Sequence, residues 1–535
     1  MEKLIKVLAV DDEKFNLLLL KSCLKGEKYE LTTCANALET LNEFKKKEFD
    51  VILLDILMAG INGFEARKLI REINKEVPII FLTSMVDDIN STLLNQLADD
   101  QYSYYMNKSF NKTTLMKKID QAVSVYREFH ATNLYYQQLE DNLTLAGDVQ
   151  KILLPGWCSL SSQMLISYLY TPAMKVSGDM LELVRLDENR TLFFIGDIAG
   201  HGVQAALYMS AVQSFLKALL FMGAGTVAPH TILNGIENFF RNDLGSKNYM
   251  TCTVAIFDFQ KNHLSFQSAG HPNTICCFPD KGEARFIDLK NIGGLPVGLA
   301  RENHYKQEDT VEYDFQDNSI FVIYTDGILD LNNSSGDSVD NETFLSLLGP
   351  LSVESDVVSI PFRIRHALEQ IGYDIVSDDI CIAAIQKQVK QSREMQLVIA
   401  ADTAEVTPCV VAFSKFVAEL FHSELATRVE MLLSEFLNNV IVHGLESRRH
   451  THTDIFIRLT ALNDGVRIRV MDRGKEWQCS PAVYSSSEEL LERQNAERAT
   501  SGRGIPIIHS IASSITRNHY FGLNETIFLV KNKEK

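Results

Sequence analysis

The sequence predicts a multidomain α/β and α+β chain: a doubly wound parallel sheet, a helical linker, a β-sandwich with flanking helices and a two-layer α/β sandwich. Three observations carry this reading. At 535 residues the chain is too long for one apolar core. Short apolar strands alternate with amphipathic helices over residues 4–124, whereas 160–388 is strand-rich. Residues 395–535 then bring long helices and a few strands together. Hydrophobic content of 46% and charged content of 23% are ordinary for globular protein. The expected boundaries are 1–124, 125–155, 156–388 and 395–535.

In the first segment, strands read over 5–10, 31–34, 51–54, 79–82 and 104–106, with helices between them. This alternation builds a parallel sheet whose ligand site lies at the carboxyl ends of its strands. Asp11, Asp12, Asp55, Thr83 and Lys108 all stand at such ends. A polar helix follows over 125–154. Phe129, Thr132, Tyr136, Leu139, Leu143, Ala146, Gln150 and Leu153 recur at spacings of three and four, which makes a heptad seam. Two readings stay open: an amphipathic helix packed on the next domain, or a parallel dimer stalk loosened by Thr132 and Gln150. Leu154-Pro155-Gly156 ends the helix.

The third segment shows helices near 203–222 and 228–243 among its strands, and 386–394 reads as a polar linker. In the last segment a strand at 396–400 precedes helices around 406–422 and 425–444. Strands at 453–461 and 465–471, a lid-like polar stretch at 478–501, a helix from Ile505 and two short strands complete it.

The net charge of −17 argues against a nucleic-acid-binding surface. No run approaches about 20 uninterrupted apolar residues, so no membrane span is expected. The N-terminus leads straight into a strand without a signal peptide. The nine cysteines lack metal spacing, and adjacent Cys276 and Cys277 suit a disulfide poorly. Reduced thiols in the cytoplasm are expected.

Asp55 ends an apolar strand, where its carboxylate can attack a phosphoryl group. Asp11 and Asp12 can hold one Mg²⁺ together with it. Lys108 can reach the phosphoryl oxygens, and Thr83 can hydrogen-bond them and shift when they arrive. This constellation resembles response-regulator receiver domains. The resemblance implies phosphoacceptor Asp55, metal-binding Asp11 and Asp12, switch residues Thr83 and Lys108, aromatic Tyr105, and an upstream sensor histidine kinase. One departure is Lys108-Ser109, where the family has Lys-Pro; the loop-shaping cis-proline is absent.

Farther along stand Ser177-Gly178-Asp179, Asp197-Ile198-Ala199-Gly200-His201-Gly202, Asp326-Gly327 and Asp378-Asp379. Each aspartate lies beside a strand end. Carboxylates suit Mg²⁺ or Mn²⁺, the Ile198 carbonyl can add a ligand, and the glycines permit tight turns. Two such ions can hold a water in line with phosphorus. A lone Asp-Gly is only a turn, but the ordered set is specific. It resembles bacterial PP2C-like phosphatases of the stage-II sporulation and stress-response type, as do Leu153-Leu154-Pro155 and Ser268-Ala269-Gly270-His271-Pro272. The resemblance implies Asp179, Asp197, Asp326 and Asp378 as ligands of two Mn²⁺ or Mg²⁺ ions. It also implies phosphoserine or phosphothreonine hydrolysis on an anti-sigma factor antagonist. Glu182 stands where the family often has Asp and reads as an outer residue of the site. His201 and His271 read as packing or capping residues before general acids.

Glu435, Asn439 and His443 are spaced four apart along a helix. Asn439 can coordinate Mg²⁺, and Glu435 can serve as base toward a hydroxyl. Asp472 can accept the adenine amino group, with Thr526 completing the pocket. Gly474 and Gly502-Arg503-Gly504 permit close backbone approach, with a helix N-terminus offered to phosphate. The set resembles anti-sigma serine kinases of the GHKL ATPase superfamily, which implies ATP and Mg²⁺. Glu476 stands where the family commonly has a second glycine. No helical hairpin with a phosphoacceptor histidine precedes the domain, which disfavours a histidine kinase.

The expected function is a response regulator that sets the phosphorylation of an anti-sigma factor antagonist. The phosphatase and an opposing serine kinase act on it, gated at Asp55. The alternative is a phosphatase regulator whose C-terminal domain mainly captures a sigma factor or the antagonist. No nucleic acid and no membrane are expected as partners, and residues 125–154 offer a route to a homodimer.

Overall fold

The computed structural model describes residues 4–26, 28–83, 100–222, 227–244, 248–287, 294–299, 304–389, 391–445, 454–476 and 504–532. By backbone contacts the chain divides into two compact units, Met1–Asn142 and Leu143–Lys535.

The first unit holds β1 (Ile5–Val10), β2 (Tyr29–Cys34), β3 (Val51–Asp55), β4 (Ile79–Thr83) and β5 (Ser103–Asn107). They form a five-stranded sheet ordered β2-β1-β3-β4-β5, parallel throughout. Helices α1 (Lys14–Cys23), α2 (Ala37–Lys46) and α3 (Gly63–Ile73) connect the strands. Every residue of central β3 is buried, as a strand covered on both faces requires. The start of α3 is fixed by a capping box between Asn62 and Glu65. A Cβ at Gly63 would lie 2.3 Å from the Asp55 carbonyl oxygen, so only glycine lets α3 begin that close to β3. The stretch expected as a helical linker is helical and continues the helix before it: one helix, α4, runs unbroken from Lys112 to Leu153.

The second unit begins with two packed sheets. The site-bearing strands are β8 (Asp179–Arg185), β9 (Arg190–Ile198), β15 (Ile320–Tyr324) and β16 (Ile380–Lys387). With β6 (Cys158–Leu160), β7 (Met164–Thr171), β10 (Met250–Asp258), β11 (His263–Ala269), β12 (Ile275–Phe278), β13 (Glu283–Phe286) and β14 (Val311–Asp314), one sheet is ordered β14-β11-β10-β9-β8 and the other β13-β12-β15-β16-β7-β6. Strand alternation divides their side chains. Phe193 and Ile195 enter the core between the sheets, while Leu192 and Phe194 face helices α5 (Val203–Met222) and α6 (Pro229–Phe239). By length and composition alone α5 is apolar enough to cross a bilayer. Its Met209, Val212 and Leu216 are instead buried in the core shared with that sheet.

Two helices were not anticipated, α7 (Asn341–Glu354) and α8 (Ile360–Gln370). Gly349-Pro350 interrupts the first, and Pro361 opens the second. Gly349-Pro350 is a breaker in sequence, whereas Pro361 lies in the first turn, where proline is tolerated. Packing against the sheet overrides the break at Gly349-Pro350, and Phe344, Leu348, Phe362 and Leu368 are fully buried.

The unit ends in a sheet ordered β17-β18-β19-β21-β20. Its strands are β17 (Glu394–Ala400), β18 (Asp454–Ala461), β19 (Gly465–Asp472), β20 (Ser514–Tyr520) and β21 (Leu523–Lys531). Helices α9 (Thr403–Leu420), α10 (Ser423–Asn439) and α11 (Gly504–Ile511) accompany it. Ile455, Ile457, Val466, Ile468, Val470 and Phe528 pack with these helices. The other face is also covered. Phe456, Met471 and Leu523 belong to the same buried cluster as Trp157, Cys158 and Phe362. The expected boundary near 388–395 is therefore a change of sheet, not a break in packing.

Candidate functional sites: three phosphate-handling centres

At the carboxyl end of the parallel sheet, ligand oxygens of Asp11, Asp12 and Asp55 lie within 4.8 Å of one another. Asp55 ends β3 and is buried, as is Asp11. Lys108 Nζ stands 2.9 Å from Asp55 Oδ1 and 2.9 Å from Asp11 Oδ2. Burial pushes the Asp55 carboxyl above its ordinary value, with Asp11 adding to the rise and Lys108 opposing it. Burial also works against the Lys108 charge, but its two carboxylate partners win and its pKa is raised. Three carboxylates facing one ammonium leave net negative charge, which fits a divalent cation. Asn16 Nδ2 and the Glu13 amide both donate to Asp11 Oδ1 and hold it in place; neither was singled out in the sequence. Thr83 ends β4 and Tyr105 lies on β5, its ring stacked on Phe81 at 5.7 Å.

The second centre forms where β8 and β9 meet. Asp179 and Asp197 are direct antiparallel partners. Thr325 Oγ1 donates to Asp179 Oδ2 at 2.9 Å, while buried Asp179 Oδ1 has no protein partner. Burial drives Asp179 well above the ordinary carboxylate range, and Asp197, Asp379 and Asp326 push the same way. Asp197 is pushed up to about 8, by burial first and then by Asp326, Asp378 and Asp379. An orphaned buried oxygen within such a crowd of acids fits divalent cations. Asp326 opens a short 3-10 turn after β15, and Asp378 lies just before β16. The Ile198 amide donates to the Gly178 carbonyl at 3.3 Å, which ties the two motifs together.

Two further acids matter here. Asp379 accepts the Ala173 amide at 2.7 Å and the Gly178 amide at 2.8 Å, so it clamps the loop before Asp179. Asp330 is raised by burial and by Asp378, which places it beside the cluster. The sequence signal for both was acidic residues adjoining a motif aspartate. A Cβ at Gly327 would lie 1.9 Å from the Asp379 carbonyl oxygen, so glycine is required for these segments to meet. Glu182 is held by α5, with Gln213 Nε2 at 2.5 Å and Lys217 Nζ at 2.7 Å. His271 is fully enclosed, 3.0 Å from Thr251 Oγ1, and burial pulls its pKa down to about 3. His201 is exposed.

The third centre lies at the end of α10. Glu435 and Asn439 are half-buried near its C-terminus. A π turn spans Val440–Gly444, and His443 lies in it, exposed. Asp472 ends β19 and is buried; its Oδ1 accepts the Gly474 amide at 2.8 Å and Asn524 Nδ2 at 3.0 Å. Asn524 was not anticipated, because an asparagine on a late strand carries no motif. Thr526 is buried two residues beyond it. Gly474 approaches protein backbone: its added Cβ would meet the Gly444 carbonyl carbon at 3.0 Å. Gly504 begins α11, whereas Gly502, Arg503 and the expected lid at 478–501 lie outside the described residues. A buried carboxylate acceptor beside a buried threonine fits an adenine amino group, and a half-buried acid–amide pair fits Mg²⁺ chemistry.

These three centres correspond to three known domain families. Residues 7–120 match the response regulator receiver domain, 187–388 match stage II sporulation protein E, and 399–527 match the histidine kinase-like ATPase domain. The chain is thus a multidomain regulator that joins a receiver, a SpoIIE-type PP2C-like phosphatase domain and a GHKL-like ATPase domain. Among its relatives, phosphoserine phosphatase RsbU of Bacillus subtilis (strain 168) is 24% identical over 211 residues, 39% of this chain and 60% of that protein. Phosphoserine phosphatase RsbP of the same organism is 23% identical over 172 residues, 32% of this chain and 41% of that protein. The chain thus spans less than two thirds of either relative. A crystal structure of the RsbU and RsbW domains of a Mycobacterium tuberculosis protein is 19% identical, with a TM-score of 0.38, covering 71% of this chain and 94% of that one.

Proposed function

We propose that this chain is a cytoplasmic response regulator that removes phosphate from serine or threonine of an anti-sigma factor antagonist and, with its last domain, restores it from ATP. The observation that carries the phosphatase reading is Asp179, a buried acid with an orphaned oxygen paired across a strand ladder with Asp197. Asp179, Asp197, Asp326, Asp378 and the Ile198 carbonyl would hold two Mn²⁺ or Mg²⁺ ions. Such a pair supplies an activated water and neutralises charge on the phosphoryl group. Hydrolysis joins the water oxygen to phosphorus, breaks the bond from phosphorus to the serine oxygen, and returns a proton to that oxygen. Thr325 orients Asp179, and Asp379 fixes the loop that carries it.

Asp55 would take its phosphoryl group from a sensor histidine kinase, with Asp11 and Asp12 holding Mg²⁺ and Lys108 facing the transferred oxygens. In the ATPase domain, Asp472 and Thr526 would receive adenine and Asn439 would hold Mg²⁺. Glu435 would accept the proton of the serine hydroxyl. Phe129, Tyr136 and Leu139 of the α4 seam are exposed, and through them two copies would pair.

The test is release of phosphate from a phosphoserine antagonist by the full chain with Mn²⁺. Asp197→Ala should lower the rate by at least about 100-fold, since it removes a group acting on the chemical step. A variant that keeps its rate and binds two metal ions unchanged would overturn the assignment.

A further inference from the structure

The ATPase-like sheet shares its outer face with the phosphatase, and this joint is built in detail. Asp356, whose side chain is wholly buried, stands 3.0 Å from Arg458 Nη1 and 3.2 Å from Arg469 Nη1. Arg469 in turn reaches Glu525 at 3.0 Å. Trp157 Nε1 donates to the Asp454 carbonyl at 2.8 Å. Arg363 lies over the Tyr520 ring at 4.9 Å, Arg365 over Phe521 at 4.5 Å, and Arg473 over Phe362 at 5.3 Å. Phe456, Met471 and Leu523 fill the apolar part.

Strand alternation places the proposed nucleotide residues directly behind this joint. Asp472 shares the helix-side face of β19 with Val470, while its neighbour Met471 is buried among phosphatase residues. On β21, Asn524 bonds Asp472, while the adjacent Leu523 is buried in the phosphatase core. The residue after Asp472 is Arg473, which covers Phe362 on α8. From α8, Arg365 donates to the Tyr373 carbonyl at 3.4 Å, and the chain runs on to Asp378 and Asp379. The segment 371–377 is mostly exposed, but Phe362 and Ile364 of α8 share one buried cluster with Ile380 and Ile382 of β16, the strand that follows Asp378 and Asp379.

We propose that nucleotide bound beside Asp472 tightens metal binding at the phosphatase cluster through this joint. The inference rests on the two ligand assignments made above. Ordering of β19 and β21 around a nucleotide holds Met471, Arg473 and Leu523 against α8, and α8 then holds the start of β16, next to Asp378 and Asp379. By linkage, the metal tightens nucleotide binding by the same factor.

The experiment is Mn²⁺ titration of the full chain by calorimetry, with and without a non-hydrolysable ATP analogue. Two joint variants, Trp157→Phe and Asp356→Asn, are measured in parallel. The expected result is an Mn²⁺ dissociation constant at least about fivefold lower with the analogue, a modest allosteric coupling. In Trp157→Phe, which loses one hydrogen bond and little volume, both ligands should still bind and the ratio should fall toward one. A ratio of one in the unsubstituted chain, with both ligands bound, overturns the coupling and leaves the two site assignments standing. An undiminished ratio in both variants overturns the route. Failure of the analogue to bind overturns the nucleotide assignment and the coupling with it.

Discussion

Gln150 and Ser177 exchange two hydrogen bonds: the Ser177 amide donates to Gln150 Oε1 at 3.1 Å, and Gln150 Nε2 donates to the Ser177 carbonyl at 3.1 Å. Gln150 also reaches the Ala206 carbonyl at 3.4 Å. Ser177 lies two residues before Asp179, and its hydroxyl accepts the Asp179 amide at 3.0 Å. The end of α4 is therefore bonded to the loop that presents a proposed metal ligand. A Cβ at Gly147 would lie 2.0 Å from the Lys175 carbonyl oxygen, so the same helix face approaches that loop twice.

Gln150→Ala should destabilise the full chain by about 1–3 kcal/mol, because buried polar groups at Ser177 lose their partners. Melting and denaturant titration measure this. The variant should also blunt any response of phosphatase rate to a small phosphodonor such as acetyl phosphate. A full response in the variant would mean that the receiver acts by a route other than this contact.

Asp55→Asn should abolish labelling by acetyl phosphate while leaving unstimulated phosphate release within about twofold, since a phosphoacceptor does not contribute to the basal rate. Lys108→Ala should leave Asp55 present yet slow its labelling, because the cation beside both carboxylates is removed. Persistent labelling of Asp55→Asn would reveal a second acceptor.

Asn439→Ala should weaken Mg-ATP binding by at least about tenfold, the loss of one metal contact. Glu435→Ala should keep binding and lose transfer to serine, because a base acts in the chemical step. Nucleotide titration alongside radiolabel transfer separates the two. If Asn439→Ala leaves transfer intact, the assignment of this helix is wrong; an unsubstituted domain that binds ATP without transferring phosphate acts by capture.

His263 lies 2.6 Å from Asp314 and 2.6 Å from Glu312, and these partners raise its pKa from 6.5 against a smaller burial effect. A group whose pKa is raised on folding adds stability that is full below its unfolded value and fades as pH rises through the folded one. His263→Gln should therefore cost more stability at pH about 5.5 than at about 8.5. The cluster is solvent-screened, so the difference should stay under about 1 kcal/mol. Thermal melts across that range decide the sign; a larger loss at high pH would contradict the pairing.

Much of the local structure was legible in the residues. The first strand was expected over 5–10 and occurs at Ile5–Val10, because an apolar run between polar turns has one local solution. The acids at strand ends were legible for the same reason. Helices α7 and α8 were not, since α7 carries Gly349-Pro350 inside it, a pair that helix packing alone accommodates. The π turn over Val440–Gly444 was not legible, because a change of winding leaves no mark in residue spacing. Gln150 read as a flaw in a heptad seam, whereas burial and three bonds make it a docking residue.

The sequence by itself determined the order of the domains, the type of most elements and the groups of residues gathered at their ends. All of these depend on periodicities of two and 3.6 and on turn chemistry within a few residues. Only the tertiary structure decided which surfaces close on one another. Both faces of β18, β19 and β21 carry apolar side chains, and alternation states that a face is buried without naming what covers it. Helices cover one face through Val470 and Phe528, and the phosphatase covers the other through Met471, Phe456 and Leu523. That second contact joins residues far apart in sequence, such as Trp157 and Asp454, and burial is non-directional, so it becomes defined only when the whole unit packs.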